Sequence, residues 1–283
     1  PETHDWQEHT QEIPFVPPPS SHKSVPKTAT VTEKLLELAR AGFSPSGLNL
    51  FVKDGYAFYK RYLLGLREED EFETSFSHKT YGTLVHKCLE TLYAPYVGKQ
   101  LKQAYCKEMI DRVDKVADAI VKREHPQGIS GKNVLALTAI KRNIQNIIAH
   151  EQGEIQSGNV IEIVALEQKL SMTQTVTGIS RPVTYKGTVD RVDRYNGKIR
   201  VLDYKTGQLN DLGIMDWADL ALDLELGQAR QLLMYAMLWN THHPDNPATR
   251  AGIIALKQYK KGALYVGEKA SPRGKILSVL DAT

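Results

Sequence analysis

The sequence predicts an α/β protein, a mixed central sheet flanked by helices and interrupted by a helical insertion. Three observations carry this. Asn196-Gly197 lies between two runs rich in Val, Ile and Tyr, which is the strongest short-range signal for a β-hairpin. Two more β-like runs, at 159–170 and 250–259, lie on either side of that hairpin. Between the hairpin and the last run, residues 227–240 have helical apolar spacing and read as a crossover helix.

The 283 residues are 41% hydrophobic and 24% charged, enough for a full core. A formal net charge of +3 and a pI of about 8.7 are weakly basic, compatible with nucleic acid without singling it out. Cys88 and Cys106 form no Cys-x-x-Cys, which argues against a disulfide framework or a cysteine zinc site and fits a reducing cytoplasm. No apolar run reaches the length of a membrane span, and no charged-then-apolar leader opens the sequence. Pro1 in place of Met reads as a fragment of something longer.

Residues 1–30 are Pro/Ser-rich without apolar periodicity and read as a linker or tail, with a proline-rich docking peptide as the alternative; 31–283 read as the folded domain. Residues 32–40 form a short helix capped by Thr32 and ending near Gly42. Ser44-Pro45 starts another helix, with Ser as N-cap and Pro at the first helical position. It carries Leu48, Phe51, Val52, Tyr56, Phe58, Tyr59 and Tyr62 as a buried face, with Lys53, Lys60 and Arg61 forming a basic edge suited to phosphates. Residues 67–77 are an acidic, flexible connection.

In the next helix Leu84, Val85, Cys88, Leu89 and Leu92 make a buried stripe, and His86 and Glu90, at i and i+4, share one face. Residues 99–151 hold two longer helices broken around 125–131, an insertion that covers the sheet or walls a groove and asks for no chemistry. The strand at 159–170 bears Glu167. After the hairpin comes a loop whose acids (Asp211, Asp216, Asp219, Asp223, Glu225) face solvent. The helix at 227–240 sets Gln231 and Tyr235 one turn apart, with Arg230 available to a phosphate. The strand at 250–259 and a strand pair at 262–280, turning at 271–274, close the sequence.

The hairpin carries the chemistry. With Asn196 and Gly197 as a two-residue turn, Tyr195 faces Lys198, Asp193 faces Arg200, Val192 faces Val201 and Asp190 faces Asp203. Asp193 and Arg200 favour this register, whereas Asp190 and Asp203 repel across a close, non-hydrogen-bonded pair. A divalent cation between them reverses that sign. Lys205, two residues past Asp203, falls on the same face. Two carboxylates and an ammonium thus converge, a set suited to Mg²⁺ or Mn²⁺ and to a lysine that activates water or steadies developing negative charge.

Gly187-Thr-Val-Asp190-Arg-Val-Asp193, followed by Val201-Leu-Asp203-Tyr-Lys205-Thr-Gly207, resembles the core of the PD-(D/E)XK nucleases, specifically their RecB-type exonuclease branch. Two further stretches are similar to that branch. Gly82-x-x-x-His86-x-x-Leu-Glu90 resembles its first motif, and Gln231-x-x-x-Tyr235 resembles its downstream helix. The resemblance spans roughly residues 44–260. It implies a restriction-endonuclease-like fold and a metal-dependent DNA nuclease that hydrolyses phosphodiester bonds, the nuclease part of a repair or recombination helicase–nuclease system. It implies His86, Asp190, Asp203 and the Tyr204 carbonyl as ligands to Mg²⁺ or Mn²⁺, Lys205 as the catalytic lysine, and Gln231 and Tyr235 on the DNA strand.

Glu167 either joins the metal site, binds a water on the metal, or is a solvated strand residue. Glu90 either orients His86 or pairs with a surface lysine. The branch often holds an iron–sulfur cluster through one cysteine in the opening helix and three near the C-terminus. No cysteine lies between Ser44 and Leu66 and none follows Cys106, so no cluster is expected. DNA, as single strands or duplex ends, and a helicase in cis or trans are the implied partners. The alternative functions are a catalytically silent DNA-binding module of such a complex and, from the Pro-rich tail alone, a protein-interaction domain.

Overall fold

The computed structural model describes residues 24–66, 76–179, 181–210, 212–214, 216–269 and 276–278. The expectations for residues 1–23, for 67–75 of the acidic connection, for Asp211 and for the turn at 271–274 lie outside the described residues. Helix α1 (Ala29–Ala41) is capped by Thr28 rather than Thr32: Thr28 Oγ1 accepts from the Val31 N–H at 3.3 Å. Ser44 caps α2 (Pro45–Lys53) as expected, its Oγ accepting from the Gly47 N–H at 3.2 Å. The expected continuous helix breaks at Asp54, whose carboxylate accepts from the N–H groups of Tyr56 and Ala57, both at 2.9 Å. A side chain that captures backbone donors ends one helix and opens the next. Here it starts α3 (Gly55–Phe58), which runs into a π turn at Tyr59–Leu63. The aromatic face is therefore only partly covered: Phe58 is buried and Phe51 is 55% exposed.

Helix α4 (His78–Tyr93), capped by Ser77, buries the predicted stripe of Leu84, Val85, Cys88, Leu89 and Leu92. Each such Leu or Val is worth about 1.5–3 kcal/mol when fully buried, so the stripe fixes the roll of the helix and the direction of His86. A short strand β1 (Lys99–Gln100) leads into α5 (Gln103–Glu124) and α6 (Lys132–Gln156), so the insertion runs past residue 151. Strands β2 (Ile161–Gln174), β3 (Val183–Tyr195) and β4 (Lys198–Lys205) follow.

The β3–β4 turn has positive φ at both central residues, 49° at Asn196 and 84° at Gly197, the geometry a two-residue hairpin needs. The register is the expected one, with Tyr195 opposite Lys198, Asp193 opposite Arg200 and Val192 opposite Val201. It stops at Arg191 opposite Leu202, one residue short of the facing aspartates. Asp190 does not face Asp203 in a ladder pair; its Oδ2 accepts from the Tyr204 N–H at 2.8 Å. Opposed carboxylates repel, and a side chain that takes a backbone donor replaces the ladder there. Beyond this point β3 stays paired with β2 (Met172 opposite Tyr185), while β4 stays paired with β6 (Ala248–Ala255). The sheet forks.

Strand β5 (Gly213–Ile214) and helix α7 (Gly227–His242) lie between β4 and β6, and β7 (Ala263–Tyr265), β8 (Gly267–Lys269) and β9 (Ile276–Ser278) follow. Among the described residues the main sheet has the order β1-β2-β3-β4-β6-β7, antiparallel except for the parallel β4–β6 pair that α7 connects; β5, β8 and β9 form a small second sheet. This is a mixed sheet flanked by helices, consistent with a restriction-endonuclease-like fold. The strand expected at 250–259 ends at Ala255, because Leu256–Lys261 curl into 3₁₀ turns that keep Lys257, Lys260 and Lys261 exposed. Helices α4, α5 and α6 cover one face of the sheet, against Ile163, Leu202 and Tyr204; α7 covers the other, against Val192, Val201 and Ile253. No helix among the described residues is long and apolar enough to cross a membrane.

Candidate active site

The fork lets side chains from both helix layers meet. From α4, His86 Nε2 donates to the Tyr204 carbonyl at 3.1 Å, since a carbonyl can only accept. That bond orients the ring and leaves Nδ1 facing Asp190 Oδ2 at 3.4 Å and Glu167 Oε1 at 3.8 Å. His86, Glu167 and Asp190 each offer a ligand atom within 4.8 Å of the others. Burial opposes protonation of His86, but bonding to Asp190 and Glu167 outweighs it and pushes the imidazole up to about 10. Glu167 reaches the site from a left-handed backbone, φ 44°, in the middle of β2. Such a conformation costs about 1–3 kcal/mol in a non-glycine residue and persists only where the surroundings hold it.

From β4, Asp203 and Lys205 project toward α7. Gln231 Nε2 donates to Asp203 Oδ1 and to the Tyr235 hydroxyl, both at 3.0 Å, and its Oε1 accepts from Lys205 Nζ at 3.0 Å. Lys205 Nζ also lies 2.8 Å from Asp203 Oδ2, an ion pair without an aligned hydrogen bond. Asp203 Oδ2 is thus a buried carboxylate oxygen without a well-made hydrogen bond. Burial, and then the charge of Asp190, raise Asp203 to about 6. An acidic oxygen kept out of water with an unused lone pair, beside a second carboxylate, fits a divalent cation. Helix α7 comes close enough to set this geometry because residue 187 is glycine: a Cβ there would stand 2.7 Å from Tyr235 Cε1.

Two expected site residues lie elsewhere. Glu90 is on the exposed side of α4, and the His86 nitrogens are already turned to Tyr204, Asp190 and Glu167. Arg230 spends three of its five donors inside the protein, Nε to Asn49 Oδ1 at 2.9 Å and Nη1 to the carbonyls of Leu220 and Asp223 at 2.7 and 2.8 Å. It ties α7 to α2 and to the preceding loop. Glu167 lies within the group it forms with His86 and Asp190, their ligand atoms within 4.8 Å of one another.

The sequence reading missed what lies behind the site. The fully buried Arg191 donates through Nη1 to Glu151 Oε1 at 2.6 Å and lies with Nη2 2.8 Å from Asp193 Oδ2. Its Nη1 also donates to the Tyr204 hydroxyl at 3.3 Å, while Tyr93 donates to Glu151 Oε2 at 2.6 Å. Asp193 accepts both arms of Arg200, at 2.7 and 2.8 Å. The insertion therefore does supply a charged group, Glu151, to the far face of the strands that carry Asp190 and Tyr204. Its signal was a lone acid continuing the apolar stripe of Ile144, Ile147 and Ile148. Cys88 and Cys106 are buried free thiols.

Residues 42–278 match the family model of the PD-(D/E)XK nuclease superfamily. Comparison with curated proteins gives no match.

Proposed function

Because the chain belongs to the PD-(D/E)XK nuclease superfamily, we propose that it is a metal-dependent deoxyribonuclease of the RecB-type branch, serving a DNA repair or recombination helicase–nuclease system. The observation that carries this reading is the cluster of His86, Glu167 and Asp190, with the buried Asp203 carboxylate, ion-paired to Lys205, close enough to feel the charge of Asp190. His86, Asp190, Asp203 and the Tyr204 carbonyl, joined by Glu167, would hold Mg²⁺ or Mn²⁺; oxygen donors with one imidazole suit either ion. When bound, the ion supplies positive charge at the scissile phosphate and a more acidic water.

The chain's own groups do the rest. Lys205, held by Gln231, moves a proton at the attacking water or steadies the charge that builds on the phosphate oxygens. Gln231 and Tyr235 orient the DNA strand, and Gln231, bonded to Tyr235, passes that orientation on through its own bonds to Asp203 and Lys205. The test is cleavage of single-stranded and duplex DNA with Mg²⁺, Mn²⁺ or EDTA. The wild type should cut only with metal, and Lys205→Ala should lose about 10²-fold or more, the range of a positioned acid or base. Metal-independent cutting, or a Lys205→Ala protein as active as wild type, overturns the reading.

A further inference from the structure

An open groove of about 530 Å³ leads away from the acids, beginning at Gln231 and Tyr235 and running along β3 past the fork. One wall is β2 and β3, with Lys169 and Lys186; the other is the segment that starts α2, with the hydroxyls of Ser44 and Ser46. That segment is tied down on β3, with Phe43 N–H donating to the Thr184 carbonyl at 2.9 Å and Lys186 N–H to the Phe43 carbonyl at 2.9 Å. The lining contains lysines and hydroxyls and no carboxylate, the reverse of the acid-rich site it adjoins. The Lys169 ammonium is exposed and makes no ion pair or hydrogen bond with a described residue. Lys186 Nζ uses one of its donors, to the Ala41 carbonyl at 2.8 Å, and an ammonium carries three.

We infer that this groove is the track for one DNA strand beside the scissile phosphate, with Lys169 and Lys186 each on a backbone phosphate. The inference rests on the nuclease reading of the adjoining site. Its size is that of a small-molecule pocket, room for on the order of one or two nucleotides of a single strand and not for a duplex. Cations with hydroxyls, and no groove-reading fork of donors and acceptors, match a backbone rather than base edges. At Gly187 the Tyr235 ring packs directly on the backbone of β3, where any side chain would meet it, so the ring lies at the inner end of the groove. A strand lying there passes the Gln231–Tyr235 pair before it reaches Asp203 and Lys205.

The test is binding of a labelled oligodeoxythymidylate in EDTA over a salt series, so that no cleavage is involved. Each single-strand phosphate neutralised contributes about 0.7 to the salt slope. Lys169→Ala should lower the slope by about 0.7, and Lys169→Ala with Lys186→Gln by about 1.4, with about tenfold weaker binding at moderate salt. Lys122→Ala, at an exposed position of α5, should change neither. Lys169 is exposed on a strand, so its single variant stands if the Lys186 change perturbs the α1 terminus. Unchanged affinity and slope in Lys169→Ala, an equal loss in Lys122→Ala, or blunt duplex competing as well as single strand overturns the track. A wild type that binds through these lysines but cuts no DNA overturns the nuclease reading and leaves the groove standing. A wild type that cuts while the lysine variants bind normally does the opposite.

Discussion

Asp203 is the residue on which the proposed mechanism turns. Its carboxylate is buried beside Asp190 with one oxygen poorly satisfied, so a neutral isostere relieves repulsion in the metal-free protein. Asp203→Asn should raise the metal-free melting temperature or leave it unchanged, and should abolish both Mn²⁺ stabilisation and cleavage. Scanning calorimetry with and without Mn²⁺ decides this; full Mn²⁺ stabilisation in the variant removes Asp203 from the metal. Tyr235 behaves differently because its hydroxyl touches Gln231 and not the acids. Tyr235→Phe should slow DNA cleavage about tenfold, the worth of a hydrogen bond near 1.4 kcal/mol. Mn²⁺ affinity, read by titration, should stay nearly constant, and a large drop would place Tyr235 among the ligands.

At the scale of elements, the hairpin was legible because two local rules agree: Asn-Gly turn chemistry and the Asp193–Arg200 pair set the same register. The α4 stripe was legible for the same reason, as helical spacing alone fixes its buried face. What was not legible depends on partners far away in sequence. The ladder stops at Arg191 because the Tyr204 N–H finds the Asp190 carboxylate, and no local pattern announces that bond. Glu151 gains its meaning only from Arg191, forty residues later. Asp54 was legible in principle, an Asp-Gly step that caps a new helix, but the aromatic run on both sides concealed it. The pairing of α6 with β3 gives its own prediction. Glu151→Ala leaves the buried Arg191 guanidinium with Asp193 as its remaining carboxylate partner and Tyr93 without its acceptor, and should cost about 3 kcal/mol in urea unfolding. A loss below about 1 kcal/mol, the level of an exposed ion pair, would show that Arg191 is compensated elsewhere.

For the whole molecule, metal binding to the native state alone should add on the order of 2–3 kcal/mol at a hundredfold excess over Kd, visible as a higher melting temperature in Mn²⁺. No shift would mean that the acids do not share an ion. The fork gives this a spatial signature. Past Leu202 the two central strands are held by different neighbours, β3 by β2 and β4 by β6, so the main sheet is two halves joined along the β3–β4 seam. Asp190 rides on one half and Asp203 on the other, and the Tyr204 amide, donating to Asp190, is a stitch across the seam. Deuterium uptake at that amide measures how often the halves part. An ion ligated from both halves acts as a rivet, slowing exchange there more than at Arg200, whose amide faces Asp193 of β3 inside the intact ladder and serves as the reference.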